Sequence, residues 1–129
     1  MMGVIQDMAL AMQFMTRLPI RSKGLDPARL SRASAWFPVV GLLVGGVAAL
    51  AYMLLVAQLT RPLAALIAVL VMVMITGGLH EDGLADCADA FGGGWTREDK
   101  LRILKDSRIG SFGAIALILS LTGRVLHLR

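Results

Sequence analysis

Two long stretches without a charged residue decide the fold: residues 37–60, FPVVGLLVGGVAALAYMLLVAQLT, and residues 62–80, PLAALIAVLVMVMITGGLH. Each is long enough to cross a bilayer as a helix, which takes roughly 20 apolar residues. A single arginine separates them, and Pro62 falls where the first turn of a new helix tolerates a missing N–H. The sequence therefore predicts a tight hairpin of two membrane-spanning helices, over about residues 37–57 and 62–79.

The composition of the whole chain agrees with a membrane protein. Of 129 residues, 57% are hydrophobic and 17% charged, an apolar share well above that of soluble domains. A soluble domain of this length cannot cover two helices that are apolar all round. We therefore predict an all-α, multi-pass integral membrane helical bundle in the lipid bilayer. The formal charge of +4 indicates topology rather than a nucleic-acid partner, and a homo-oligomer is compatible with these patterns.

The segments around the hairpin complete the predicted organisation. Apolar residues at spacings of three and four over about residues 4–18 predict an amphipathic helix that lies on the membrane surface or packs on the bundle. A third apolar helix is predicted from residue 109, as a span, a re-entrant segment or a helix buried in protein. Lys and Arg concentrate before residue 37 and over residues 97–108, so the positive-inside rule places both segments on the cytoplasmic side.

Seven of the nine acidic residues lie between residues 81 and 106, directly after the second predicted span. If this stretch is helical, Asp82, Asp86 and Asp89 stand at i, i+4 and i+7 and share one face of the helix. The opposite side is apolar, and we expect it to pack against the bundle: Leu84, Cys87, Ala88 and Phe91.

Carboxylates clustered in this way suit Mg²⁺, which commonly keeps waters and completes its shell with substrate phosphate oxygens. We therefore interpret residues 80–108 as a metal-binding segment, with Asp82, Asp86 and Asp89 as metal ligands and catalytic residues for phosphoryl-group transfer. The alternative is a solvated cytoplasmic face paired with the bases that follow it. Three aspartates immediately beyond a span favour the functional interpretation.

Three further residues are candidates for substrate binding. Lys105 and Arg108 follow the acidic segment and are suited to phosphate oxygens, although basic residues at this position also anchor a span on the cytoplasmic side. His80 is a candidate ligand or base, and its alternative role is that of a hydrogen-bonding residue at a helix end. The glycines at residues 92–94 either end a helix, in left-handed conformations, or let backbone N–H groups approach a phosphate.

Several charged and aromatic motifs occur in order along nearly the whole chain. They are FMTRLP at residues 14–19, WFP at residues 36–38 with Gly41, GGLHEDGLAD at residues 77–86, Asp89, and KDSRIG at residues 105–110. Together they resemble the cobalamin synthase family, the adenosylcobinamide-GDP ribazoletransferases.

The resemblance implies a transferase of the last steps of cobalamin biosynthesis, which joins adenosylcobinamide-GDP to α-ribazole or its 5′-phosphate and releases GMP. It implies Mg²⁺ held on the diphosphate by Asp82, Asp86 and Asp89, with Lys105 and Arg108 on phosphate oxygens and a carboxylate or His80 available as a base. Members of the family are longer, so the chain corresponds to an amino-terminal part. The implied location is the bacterial cytoplasmic (inner) membrane, with the acidic segment facing the cytoplasm.

Without the resemblance, the residues leave two other classes of function open. Aspartate-rich segments beside a span also fit a membrane prenyltransferase or a CDP-alcohol phosphotransferase. A non-enzymatic membrane subunit that binds ions through the same carboxylates is the third possibility.

Overall fold

The computed structural model describes residues 2–20 and 27–128, and all regular structure in these two ranges is helical, as predicted. The helices are α1 (Met2–Met15), α2 (Pro27–Ala33), α3 (Phe37–Leu55), α4 (Arg61–Thr76), α5 (Leu79–Gly93), α6 (Arg97–Leu104) and α7 (Ser111–Leu128). A 3-10 turn over Ser34–Trp36 joins α2 to α3. Two bases of the predicted linker, Arg21 and Lys23, lie outside the described residues.

The prediction of an all-α, multi-pass membrane protein is confirmed for the part of the chain that the structure describes. The helical segment Ala28–Leu55, which contains an 18-residue stretch of mean hydropathy 2.2, and the helix Ser111–Leu128, with 1.5, are each long and apolar enough to cross a bilayer. Helices α4 and α5 reach that length only as a pair, and they are bent by 88° relative to each other. The second uncharged stretch is thus a short helix that ends at Thr76, before the predicted residue 79, and joins the acidic helix at a corner.

Two consecutive left-handed glycines form this corner. Gly77 and Gly78 have φ angles of 66° and 75°, which residues with a Cβ rarely adopt. The N–H of Gly78 donates to the carbonyl oxygen of Val73 at 3.0 Å, and that of Gly77 to Met74 at 3.3 Å, so the turn satisfies the last carbonyls of α4. Residues 92–94 also end a helix, but Gly94 does so in an extended conformation with φ −97°, not in the predicted left-handed one.

Helix α1 packs on the bundle rather than standing apart from it. Its apolar contacts with α2 and α3 form the core of this end of the molecule: Leu10, Ala11, Ala33, Val40 and Val44. Val4 and Ile5, which belong to the predicted apolar stripe, are exposed. The helix ends at Met15, before the predicted residue 18, because the chain turns toward α4 and the N–H of Arg17 donates to the carbonyl of Ile75 at 2.8 Å.

The packing face predicted for α5 is wrong. Phe91 is 72% exposed, and Leu84 and Cys87 are exposed as well. The buried residues of α5 are instead Glu81, Ala85 and Ala90. The close contact of α5 with α7 is made by small residues, such as Ala85 against Gly113, so the large apolar residues of α5 lie outside it.

Helices α5 and α7 approach closely because glycines and alanines line their contact. Gly113 is the buried residue of α7. A Cβ built on it would lie 2.9 Å from the carbonyl oxygen of Ala85 and would collide with the Asp89 carboxylate. On the other helix, a Cβ on Gly92 would come within 2.5 to 2.7 Å of the Phe112 ring. Substitution at either glycine must therefore push the two helices apart.

We expect Gly113→Ala to destabilise the chain by about 1 to 3 kcal/mol, the usual cost of overpacking a close contact. Thermal unfolding in detergent measures this loss. Gly123→Ala in the same helix is the matched control, because a Cβ there meets nothing within 4 Å. Equal melting temperatures for the two variants would contradict the close α5–α7 contact.

Candidate active site

An open cavity of about 580 Å³ lies at the corner between α4 and α5, beside the loop that leads into α7. Asp82 and Asp86 of α5 line it, and Arg108 faces it from the loop. Arg17, which follows α1, lines the same cavity. The structure therefore brings two predicted carboxylates and one predicted cation together, and adds a second cation.

Asp82 and Asp86 stand one helical turn apart on α5, which places both carboxylates on the cavity side. Asp82 is exposed and Asp86 is half-buried. Among residues 2–20 and 27–128, no group of three or more His, Cys, Asp or Glu side chains is arranged to hold a metal ion. Two hard oxygen donors in an open cavity nevertheless fit Mg²⁺, which often takes one or two carboxylates and fills its remaining positions with water and phosphate.

Asp89, the third predicted ligand, holds the beginning of α7. One carboxylate oxygen accepts a hydrogen bond from the N–H of Gly110 at 2.6 Å, and the other accepts from Gly113 at 2.8 Å. Gly110 directly precedes α7 and Gly113 lies in its first turn, where N–H groups lack partners within the helix and a negative charge is favourable. The structure thus gives Asp89 a capping role, and its metal ligation stays a prediction.

Arg108 is held in place by the residue two positions before it. Its Nη2 lies 2.7 Å from Oδ2 of Asp106, its Nε lies 3.1 Å from Oδ1, and its backbone N–H donates to Oδ1 at 3.0 Å. The hydrogen bond from the Arg108 side chain is the main reason that the pKa of Asp106 falls to about 2, and the bond from the Arg108 backbone adds to it. Arg108 therefore reaches the cavity from an anchored position.

The direction of this pKa shift predicts how the pair responds to pH. Because the pKa of Asp106 is lowered, the pair stabilises the protein fully at a pH above the ordinary carboxyl pKa, about 3.9. This stabilisation is lost as the pH falls through about 2. We expect carbon NMR of the Asp106 carboxyl to show a midpoint near 2, and Arg108→Gln to move it up toward the ordinary value. An unchanged midpoint in that variant would mean that Arg108 does not lower the pKa.

Lys105 and His80 are not among the residues that line the carboxylate cavity. Lys105 ends α6, where its N–H donates to the carbonyl of Arg102 at 3.2 Å, and its side chain is exposed. His80 lines a separate cavity of about 330 Å³ between α1, α3, α4 and α7. Their predicted roles in substrate binding stay predictions.

The chain that forms this cavity matches the model of a known family over most of its length. The family model described as CobS, cobalamin-5-phosphate synthase, matches residues 7–129. The chain belongs to the cobalamin-5-phosphate synthase family. No solved structure matches the chain.

Relatives within this family carry a more specific name. A Shewanella pealeana protein named adenosylcobinamide-GDP ribazoletransferase is 50% identical over 113 residues, which cover 87% of this chain and 44% of the relative. Proteins of the same name from Shewanella sp. strain W3-18-1 and Shewanella frigidimarina are 54% and 53% identical, over 86% and 83% of the chain. The chain spans less than half the length of these relatives.

An ion pair between α5 and α7 stands next to the carboxylate cavity of this cobalamin-5-phosphate synthase family member. Arg124 Nη2 lies 2.7 Å from Oε1 of Glu81, a residue only 9% exposed. Oε2 of Glu81 is buried without a hydrogen-bond partner among the described residues. The sequence analysis assigns a role to neither Glu81 nor Arg124. A single arginine within an apolar stretch was the available signal, since such a charge needs a partner.

Arg17 is the second site residue that the sequence analysis did not assign. It was counted only as a basic residue before the first span. The available signal was its place in FMTRLP, the motif of residues 14–19 that resembles the amino-terminal pattern of the family.

Proposed function

We propose that the family-length protein containing this chain joins adenosylcobinamide-GDP to α-ribazole, or to its 5′-phosphate, and releases GMP. The observation that carries the proposal is the cavity in which Asp82, Asp86 and Arg108 meet, within a chain of the cobalamin-5-phosphate synthase family. The shared name of its relatives supports the choice of substrate.

The cavity residues suit the transfer of a phosphate-linked group. A ribose hydroxyl of the ribazole attacks the phosphorus attached to cobinamide, the bond from that phosphorus to the bridging oxygen breaks, and GMP leaves with that oxygen while the hydroxyl loses its proton. Asp82 and Asp86 would hold Mg²⁺, which supplies charge neutralisation on the diphosphate. Arg108 binds and orients phosphate oxygens through its guanidinium, and Lys105 is proposed as a second cation in that role.

The proposed location is the bacterial inner membrane, with α5 and α6 on the cytoplasmic side. Support comes from the bases between α5 and α7, which the positive-inside rule places in the cytoplasm: Arg97, Lys100, Arg102, Lys105 and Arg108. The nucleotide-linked substrate is then supplied from the same side as the carboxylates.

Release of GMP from adenosylcobinamide-GDP and α-ribazole tests the proposal. Membranes containing this chain alone and membranes containing the family-length protein are compared with and without Mg²⁺. We expect GMP and adenosylcobalamin from the family-length protein only when Mg²⁺ is present, and the result for the chain alone shows whether the rest of the protein is required. A well-inserted family-length protein that forms neither product would refute the proposal.

A further inference from the structure

The backbone around Arg17 is fixed to the end of α4. The N–H of Arg17 donates to the carbonyl of Ile75 at 2.8 Å. Just before it, the hydroxyl of the buried Thr16 donates to the carbonyl of Met12 at 2.6 Å. The segment after α1 is thus hydrogen-bonded to both α1 and α4, and this fixes the position of the Arg17 backbone beside the α4–α5 corner.

The Arg17 side chain lies across the first glycine of that corner. A Cβ built on Gly77 would fall 2.6 Å from Nε, 2.7 Å from Cγ and 2.8 Å from Cδ of Arg17. The missing side chain at Gly77 therefore provides the space that the arginine occupies. This contact holds the Arg17 side chain on the turn, and Arg17 lines the same cavity as Asp82 and Asp86.

The charge of Arg17 has no ion-pair partner among residues 2–20 and 27–128, since no carboxylate there lies within 4 Å of its guanidinium. Arg108, the other cation of the cavity, is neutralised by Asp106 at 2.7 Å. A planar guanidinium offers two parallel donors that match phosphate oxygens. An unpaired guanidinium near carboxylates that suit a divalent cation completes a site for a phosphate group bound to that cation.

We infer that Arg17 binds the diphosphate of the nucleotide-linked substrate, on the side of the cavity formed by the α4–α5 corner. This inference rests on the proposed function and adds a substrate-binding residue to it. Arg17 then binds the diphosphate with a guanidinium that has no carboxylate partner among residues 2–20 and 27–128. The guanidinium of Arg108, by contrast, is shared with Asp106.

Binding of inorganic diphosphate tests this role directly. The affinity of the purified family-length protein for diphosphate with Mg²⁺ is measured by calorimetry, and the KM for adenosylcobinamide-GDP is measured alongside. We expect Arg17→Gln to weaken diphosphate binding and raise that KM by about ten- to a hundredfold, as for the loss of a charged hydrogen bond. Inhibition by cobinamide, which lacks the diphosphate, should stay the same. Arg61→Gln at the far end of α4 is the control for the loss of one positive charge.

Arg17→Lys separates binding from packing, because lysine keeps an aliphatic stem on Gly77 and one charge but loses the paired donors. We expect its affinity for diphosphate to lie between those of the wild type and Arg17→Gln. Unchanged diphosphate binding in both variants would overturn the inference, as would equal weakening of diphosphate and cobinamide. If wild-type protein binds diphosphate through Arg17 but forms no cobalamin, the proposed reaction fails and the binding role of Arg17 stands.

Discussion

Replacing Asp82 or Asp86 with asparagine in the family-length protein should reduce turnover at least about 100-fold, while insertion into the membrane is kept. Both side chains line the cavity at the α4–α5 corner, and asparagine keeps their size but removes the negative charge that attracts a divalent cation. Loss of metal assistance costs several kcal/mol of transition-state stabilisation, and each factor of ten corresponds to about 1.4 kcal/mol. GMP release and Mn²⁺ binding, followed by electron paramagnetic resonance, should fall together.

Glu98→Gln is the control for this prediction, because Glu98 is an exposed acid in the first turn of α6.

Asp89→Asn should also lower turnover if Asp89 binds the metal. Asp89→Asn should also destabilise the protein by about 1 kcal/mol, because the amide cannot accept hydrogen bonds from both N–H groups at the start of α7. Activity close to wild type in all three aspartate variants would refute the assignment of the site.

The largest loss of stability should come from Arg124→Met. This change leaves the carboxylate of Glu81 buried without its cation, and breaking a buried pair in this way costs about 3 to 5 kcal/mol. Unfolding by increasing the fraction of a denaturing detergent measures the loss. The variant should also lower turnover, because Glu81 precedes Asp82 on α5 and fixes how that helix lies against α7.

A double-mutant cycle isolates the contribution of the pair. Glu81→Gln combined with Arg124→Met removes both charges, so the double variant should be more stable than Arg124→Met alone. Arg61→Met, an exposed arginine outside this contact, should change stability little. Strictly additive effects of the two single changes would show that the ion pair does not couple α5 to α7.

Much of the fold could be predicted from the length of the stretches without charged residues, which is the strongest signal in the sequence of a membrane protein. The first span and the third apolar helix, which begins at Ser111, both follow local patterns. The 88° corner does not, because Gly77 and Gly78 announce the end of a helix but not the direction in which the chain continues. That direction depends on contacts with Arg17 and α7, which are distant in sequence.

Only part of the candidate site could be predicted, because it too depends on contacts between residues that are distant in sequence. Helical spacing brought Asp82 and Asp86 to one face, as the cavity requires. Spacing could not show that the same face turns toward α7 at Asp89, where backbone N–H groups of another helix use the carboxylate. The packing side of α5 was mispredicted because large apolar residues mark the core of a soluble protein, whereas the close contact between α5 and α7 uses small residues and leaves Phe91 and Leu84 outside.

The partners of α5 have a consequence for translation. The N–H groups that Asp89 binds lie 21 and 24 residues later in the chain, and Arg124 comes later still. At synthesis rates of roughly 5 to 20 residues per second, Asp89 is added to the chain about one second or more before these groups exist. The final docking of the acidic helix therefore waits until the ribosome has delivered α7, which carries the partners of Glu81 and Asp89.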